Sequence, residues 1–187
     1  MRNQTKTLDI VYTAIGAALI AICSWVSIPL TVPFTLQTFA VFFILSLLGG
    51  KRGTAAIAVY LLLGAIGLPV FAEMTAGLGI LLGTTGGYLI GFLLTGLIFW
   101  AAERLFGSRL WVQIPALVLG LAACYALGTV WFQFVYSREN GAVGLTAVLG
   151  WCVFPFVLPD LMKMGLALTV AQRIAPLLRV KARAKSE

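Results

Sequence analysis

Two charged side chains stand where the sequence is otherwise apolar. Asp160 and Lys163 lie three residues apart in Pro159-Asp160-Leu161-Met162-Lys163-Met164, a spacing that puts both on one face of a helix. A lone charge in hydrocarbon costs about 3 kcal/mol on insertion scales, and pairing lowers that cost. One reading is an ion pair that only neutralises itself. The other is a binding site, with an ammonium for a substrate carboxylate and a carboxylate that holds the lysine or accepts from a substrate N–H. A helix starting near Pro159 would bring its positive N-terminal end close to both groups and favour an anion.

Three more polar groupings could join them. Thr31, Thr35, Gln37 and Thr38 follow Pro29, with Phe34 among them as an apolar lid. The run from Gly77 to Tyr88 offers glycine backbone at Gly79, the hydroxyls of Thr84 and Thr85, and the Tyr88 phenol. Asn140 sits in a later polar turn. Glycines let backbone approach a ligand closely, and they equally permit tight packing of membrane helices. The run is neither Gly-x-Gly-x-x-Gly after a strand nor a phosphate-binding loop, so no motif for ATP hydrolysis is present. The chain has no histidine. Glu73, Glu103 and Asp160 are too scattered for paired acid–base work. We therefore expect no catalytic residue, no metal and no cofactor. Cys23, Cys124 and Cys152 read as small apolar residues, neither bridged nor metal-binding.

The elements that carry these residues follow from composition. Of 187 residues, 61% are hydrophobic and 10% charged, against about 25% charged in an ordinary soluble domain. This excludes a soluble enzyme, a disordered tail and a nucleic-acid module. The expected fold is an all-α integral membrane protein, a single domain over 1–187 with a basic tail at about 176–187. Spans of about 20 residues allow six. We place them at 8–28, 36–48, 54–68, 85–102, 111–136 and from Pro159 to about 175. The stretch 70–83 is too broken for a helix and too apolar for a water-facing loop, so it is a candidate binding loop. Residues 142–158 form a short helix or a dipping loop. The first span imitates a signal peptide, but it is too long for one and lacks an Ala-x-Ala site.

The basic residues test this count. The net charge is +7, from 13 Lys and Arg against 6 Asp and Glu. Arg2, Lys6, Lys51, Arg52, Arg104, Arg109, Arg173, Arg179, Lys181, Arg183 and Lys185 all fall on one side of a six-span arrangement, and the other side has only Arg138, offset by Glu139. That rule puts both termini in the cytoplasm and the polar groupings outside. Lys163 is the basic residue with no topological role. On the first span Ala14, Ala17, Ala18 and Ala21 form a small-residue face, of which Ala14-x-x-x-Ala18 is part. Two readings stand for it: packing within the protein, or docking of another membrane protein.

Several motifs carry a resemblance. They are Val32-Pro33-Phe34-Thr35-Leu36-Gln37-Thr38-Phe39-Ala40, Gly64 to Ala72, Gly77-Leu78-Gly79 to Gly83, Thr85-Gly86-Gly87-Tyr88-Leu89-Ile90-Gly91-Phe92, and Pro159-Asp160 to Lys163. In these the chain resembles the BioY family, the biotin-binding S components of energy-coupling factor (ECF) transporters, over nearly its whole length. It departs at Glu73-Met74-Thr75-Ala76. The resemblance implies an S-component fold in a bacterial-type cell membrane and high-affinity capture of biotin from outside. It also implies ATP-driven uptake through a membrane coupling protein and two cytoplasmic ATPases. In that family an Ala-x-x-x-Ala motif on the first helix docks the coupling protein, and Ala14 and Ala18 match it. Lys163 suits biotin's carboxylate, and Asp160, threonine and glutamine suit its ureido edge. Two further classes stay open: a stand-alone secondary transporter or channel for a small carboxylate-bearing solute, and a ligand-free assembly subunit.

Overall fold

The computed structural model describes residues 2–183, with side-chain surroundings for residues 6–176. The side chains of the basic tail therefore fall outside the described residues, and Lys185 does so entirely. Among the described residues eight α-helices follow one another: α1 Arg2–Trp25, α2 Gln37–Leu48, α3 Gly50–Ala65, α4 Leu78–Leu82, α5 Gly86–Phe106, α6 Leu110–Asn140, α7 Leu145–Cys152 and α8 Phe154–Arg183. Between α1 and α2 two short strands, β1 Ser27–Ile28 and β2 Phe34–Thr35, pair antiparallel with Ser27 opposite Thr35.

The departures from expectation have local causes. α1 stops at Trp25 although the apolar run continues to Ile28. Ile28 precedes Pro29, which disfavours helical backbone, and Leu36 N–H closes the hairpin onto the Val26 carbonyl at 3.1 Å. α3 starts at Gly50, because Gly49 alone, at φ +82°, makes the turn from α2. The Glu103 carboxylate accepts from the Gly50 N–H at 2.6 Å, an anion at a helix N-terminus. α6 runs through Ser137 to Asn140 because no breaker precedes Gly141. The segment 70–83, expected to be too broken for a helix, holds a 3-10 turn at Ala72–Met74 and the five-residue α4. α8 begins at Phe154, after a kink at Val153, so Pro155 takes the early position that proline tolerates. Asp160 and Lys163 thus lie beyond the first turn of α8. A helix dipole acts within its first turn, so the expected help from the N-terminus falls away.

α5 and α6 form the most extensive helix pair, followed by α2 with α8 and α1 with α3. The α5–α6 seam is built from small residues. Gly87 meets Trp131 and Gly128, Gly91 meets Cys124, Gly120 meets Thr95 and Gly128 meets the Tyr88 ring. Thr95 Oγ1 lies 3.0 Å from the Gly91 carbonyl and 2.9 Å from that of Gly120. Gly86 and Gly87 thus serve packing: a Cβ on Gly86 would strike the Leu81 backbone.

Among the described residues, four segments are long and apolar enough to cross a membrane: Lys6–Trp25, Gly86–Phe106, Leu110–Asn140 and Leu145–Pro176. α2 is apolar but has only 12 residues, and α3 has 16. At one end of the bundle Arg52 pairs with Asp9 and Glu103 caps α3. At the other, Ser24 Oγ lies 2.6 Å from the Val70 carbonyl, Trp25 Nε1 donates to the Pro69 carbonyl at 2.9 Å and Trp131 Nε1 to that of Gly83 at 2.9 Å. The alanine face of α1 divides. Ala17 and Ala21 are buried, whereas Ala14 and Ala18 are exposed among Val11, Ile15 and Ile22.

Candidate functional site

Asp160 and Lys163 are brought into contact from one turn of α8 and are buried, 3% and 9% exposed. Lys163 Nζ donates to Asp160 Oδ1 at 2.9 Å, to the Thr35 carbonyl at 2.7 Å and to Thr38 Oγ1 at 3.2 Å. It also sits 3.9 Å from the centre of the Phe34 ring, a cation–π contact. An ammonium has three N–H donors, and here each has a protein partner. Thr38 Oγ1 donates to Asp160 Oδ1 at 2.8 Å, and Tyr125 OH donates to Oδ2 at 2.6 Å. Each carboxylate oxygen accepts about two hydrogen bonds, so Oδ2 keeps room for one more donor.

The β1–β2 hairpin and the start of α2 explain this convergence. Pairing of Phe34–Thr35 with Ser27–Ile28 fixes the Thr35 carbonyl toward α8. Thr35 Oγ1 accepts from the Gln37 N–H at 3.2 Å, which holds the first turn of α2 and brings Thr38 to the pair. Gln37 Nε2 donates to the Tyr60 hydroxyl at 3.0 Å, tying α2 to α3.

The pair opens on a cavity of about 230 Å³, somewhat below the ~300–1,000 Å³ common for small-molecule sites. Its apolar walls include Phe71, Ile80, Leu89, Phe92, Leu121 and Phe156, and its polar groups include Thr35, Gln37, Thr38, Thr85, Tyr88 and Tyr125. Such a site takes a ligand with an apolar body and a compact polar head that can both donate and accept.

Of the residues singled out in the sequence, Lys163, Asp160, Thr35, Gln37, Thr38, Thr85 and Tyr88 line this cavity, and Thr31 does not. Phe34 touches it through Lys163 and through Phe156, whose ring centre is 5.8 Å away. Gly79, Thr84 and Asn140 are not among the lining residues. Asn140 ends α6 on the surface, with its side chain 3.5 Å from the Tyr136 carbonyl. Tyr125 was not foreseen. Its signal was a phenol in the middle of an apolar span, a polar tip that needs a partner once buried.

A profile of the BioY family matches residues 1–180. The biotin transporter BioY of Thermotoga maritima is 41% identical over 170 residues, covering 90% of this chain and 96% of that protein. Biotin transporter BioY2 of Lactococcus lactis subsp. cremoris is 37% identical over 83% of this chain and 84% of its own. The crystal structure of an S-component for biotin from an ECF-type ABC transporter superposes with a TM-score of 0.78 at 30% identity, covering 93% of this chain and 94% of that one. These relatives are transport proteins, not enzymes. The match runs through the hairpin, the α5–α6 seam and the Asp160–Lys163 turn alike, and on that extent the chain belongs to the BioY family.

Proposed function

We propose that this protein is the biotin-capturing subunit of an ECF-type transporter. It takes biotin from outside the cell and works with a membrane coupling protein and two cytoplasmic ATPases. The observation that carries this reading is the buried Asp160–Lys163 pair at the polar end of an apolar cavity, in a chain so similar to named biotin transporters. Biotin joins an apolar ring to a ureido head with two donors and one acceptor, and it ends in a carboxylate. The spare capacity of Asp160 Oδ2 favours a ureido N–H there. A ligand carboxylate reaches Lys163 only by displacing the Thr35 carbonyl or Thr38. Gln37, Thr85 and Tyr88 complete the polar lining on this reading, while Phe34 covers the ammonium. Gly79, Thr84 and Asn140 would contribute only after a loop moves.

Counting α2 and α3 as short spans gives six. Arg52 and Lys51 then share an end with Asp9 and Glu103, and the inward bias of basic residues turns that end and both termini to the cytoplasm. The cavity faces outward. The exposed Ala14–Ala18 face of α1 suits the coupling protein, because small residues let helices approach.

Calorimetric titration of the purified protein with biotin tests capture; a saturable one-to-one isotherm is expected, and no heat of binding would refute it. Uptake into proteoliposomes, with and without the coupling protein, ATPases and ATP, tests coupling. Uptake without ATP would favour the stand-alone transporter.

A further inference from the structure

Three charged side chains line the cavity: Asp160, Lys163 and Glu73. The first two cancel each other across 2.9 Å. Glu73 has no ion pair or hydrogen bond among the described residues, and it is exposed at the same time as it lines the cavity. It therefore stands at the mouth as the uncompensated charge of the site. Its position is built. Glu73 and Met74 both hold left-handed backbone, at φ 56° and 55°, which non-glycine residues adopt at a cost. The flanks enforce it. Phe71 is buried against Tyr60, with ring centres 5.6 Å apart, and a Cβ at Gly64 would collide with its ring. Phe71 N–H donates to the Thr75 carbonyl at 3.1 Å, and Thr75 Oγ1 donates to the Ala72 carbonyl at 2.8 Å. The loop is also tied to α1 through Ser24 and Trp25.

We infer that Glu73 is a specificity-determining residue that sets the charge preference of the site. It penalises a ligand that carries a free carboxylate and favours one whose tail is uncharged or cationic, as in esters and amine-bearing amides of the same acid. This inference rests on the biotin reading above. With the head group held at Asp160 and Lys163, the tail of the ligand points toward the mouth and meets Glu73. The carboxylate is partly hydrated, so the effect is a modest through-space one, about threefold in Kd at low salt, and it shrinks as salt is added.

The test compares Kd values of biotin, its methyl ester and its ethylenediamine amide for the wild type and Glu73→Gln, at low and high salt. Glutamine keeps the size and the same backbone demand. The variant should bind biotin about threefold more tightly, leave the ester unchanged and weaken the cationic amide by a similar factor. Glu73→Lys should move the same two values further in the same directions. Equal changes for all three ligands would mean a disturbed loop, and no change would mean an inert residue; either overturns the inference. A wild type that binds the ester and amide but shows no charge-dependent shift in either variant also overturns it, leaving the biotin reading intact. A wild type that binds none of the three overturns both.

Discussion

Lys163 offers the sharpest test of whether the buried pair binds ligand or merely neutralises itself. Lys163→Met removes the charge and keeps most of the side-chain volume. It deletes donors at 2.7, 2.9 and 3.2 Å and leaves Asp160 held only by Thr38 and Tyr125. If Lys163 holds Asp160 in place for biotin, its loss lets the carboxylate shift and forfeits the charge-assisted contact of about 1.5–3 kcal/mol that Asp160 makes. Biotin should then bind about 10–150-fold more weakly. Breaking a buried pair also destabilises a fold by about 3–5 kcal/mol, so thermal melting of each variant must accompany the titration. Asp160→Asn and the double variant complete the cycle. Neutralising both residues relieves the lone buried charge and should restore much of the lost stability. On a purely structural reading it would also restore biotin affinity. On the binding reading the double variant melts near the wild type yet binds as poorly as the single ones. A folded double variant with wild-type Kd would refute the reasoning.

The remaining predictions use other parts of the molecule. Tyr125→Phe removes the 2.6 Å hydrogen bond to Asp160 Oδ2 and should weaken biotin about tenfold with little change in melting temperature, which titration and melting together would check. Ala14→Trp with Ala18→Trp should leave biotin affinity of the isolated subunit unchanged and abolish pull-down of the coupling protein; lost binding with an intact complex would overturn that assignment. Gly128→Leu drives a side chain into the Tyr88 ring across the α5–α6 seam. It should destabilise the protein by at least about 1–3 kcal/mol, visible as a lower melting temperature with or without biotin.

Some of the site was legible in the sequence because its signal is a violation of composition. A Lys and an Asp three apart in an apolar run demand a reason, and the threonines before α2 stood close to a proline-bounded turn. The rest depends on which helix lies opposite. Gly87, Gly91 and Gly128 look like the glycines of the 77–83 loop in sequence, but each is buried against a named residue across a seam that spacing does not reveal. Asn140 has hydrogen-bonding capacity, yet nothing in a sequence tells whether a turn faces a cavity or water. Boundaries failed where hydropathy was continuous. Val26-Ser27-Ile28 is as apolar as the helix before it, and only the following proline and the pairing with Phe34-Thr35 turn it into a strand. The late start expected for α8 gave Pro159 a boundary role that the kink at Val153 takes instead.

α1 joins the two ends of the molecule that the proposed function needs. Its last residues hold the cavity loop, with Ser24 Oγ 2.6 Å from the Val70 carbonyl and Trp25 bonded to Pro69. Its middle presents Ala14 and Ala18 outward while Ala17 and Ala21 pack inward on the neighbouring turns. From Ala14 to Ser24 the rise is about 15 Å along one unbroken helix. Ala18 is nearer, about 9 Å from Ser24, and neither alanine is among the residues that line the cavity. If that face docks the coupling protein as proposed, a substitution there should abolish docking without touching affinity. Yet a rigid helix passes displacement from one end to the other without any relay of side chains. A coupling protein that tilts α1 would pull on the Phe71–Thr75 turn and, through it, on the wall of the cavity. On the proposed function, capture and coupling would stay chemically separate on a single mechanically continuous element.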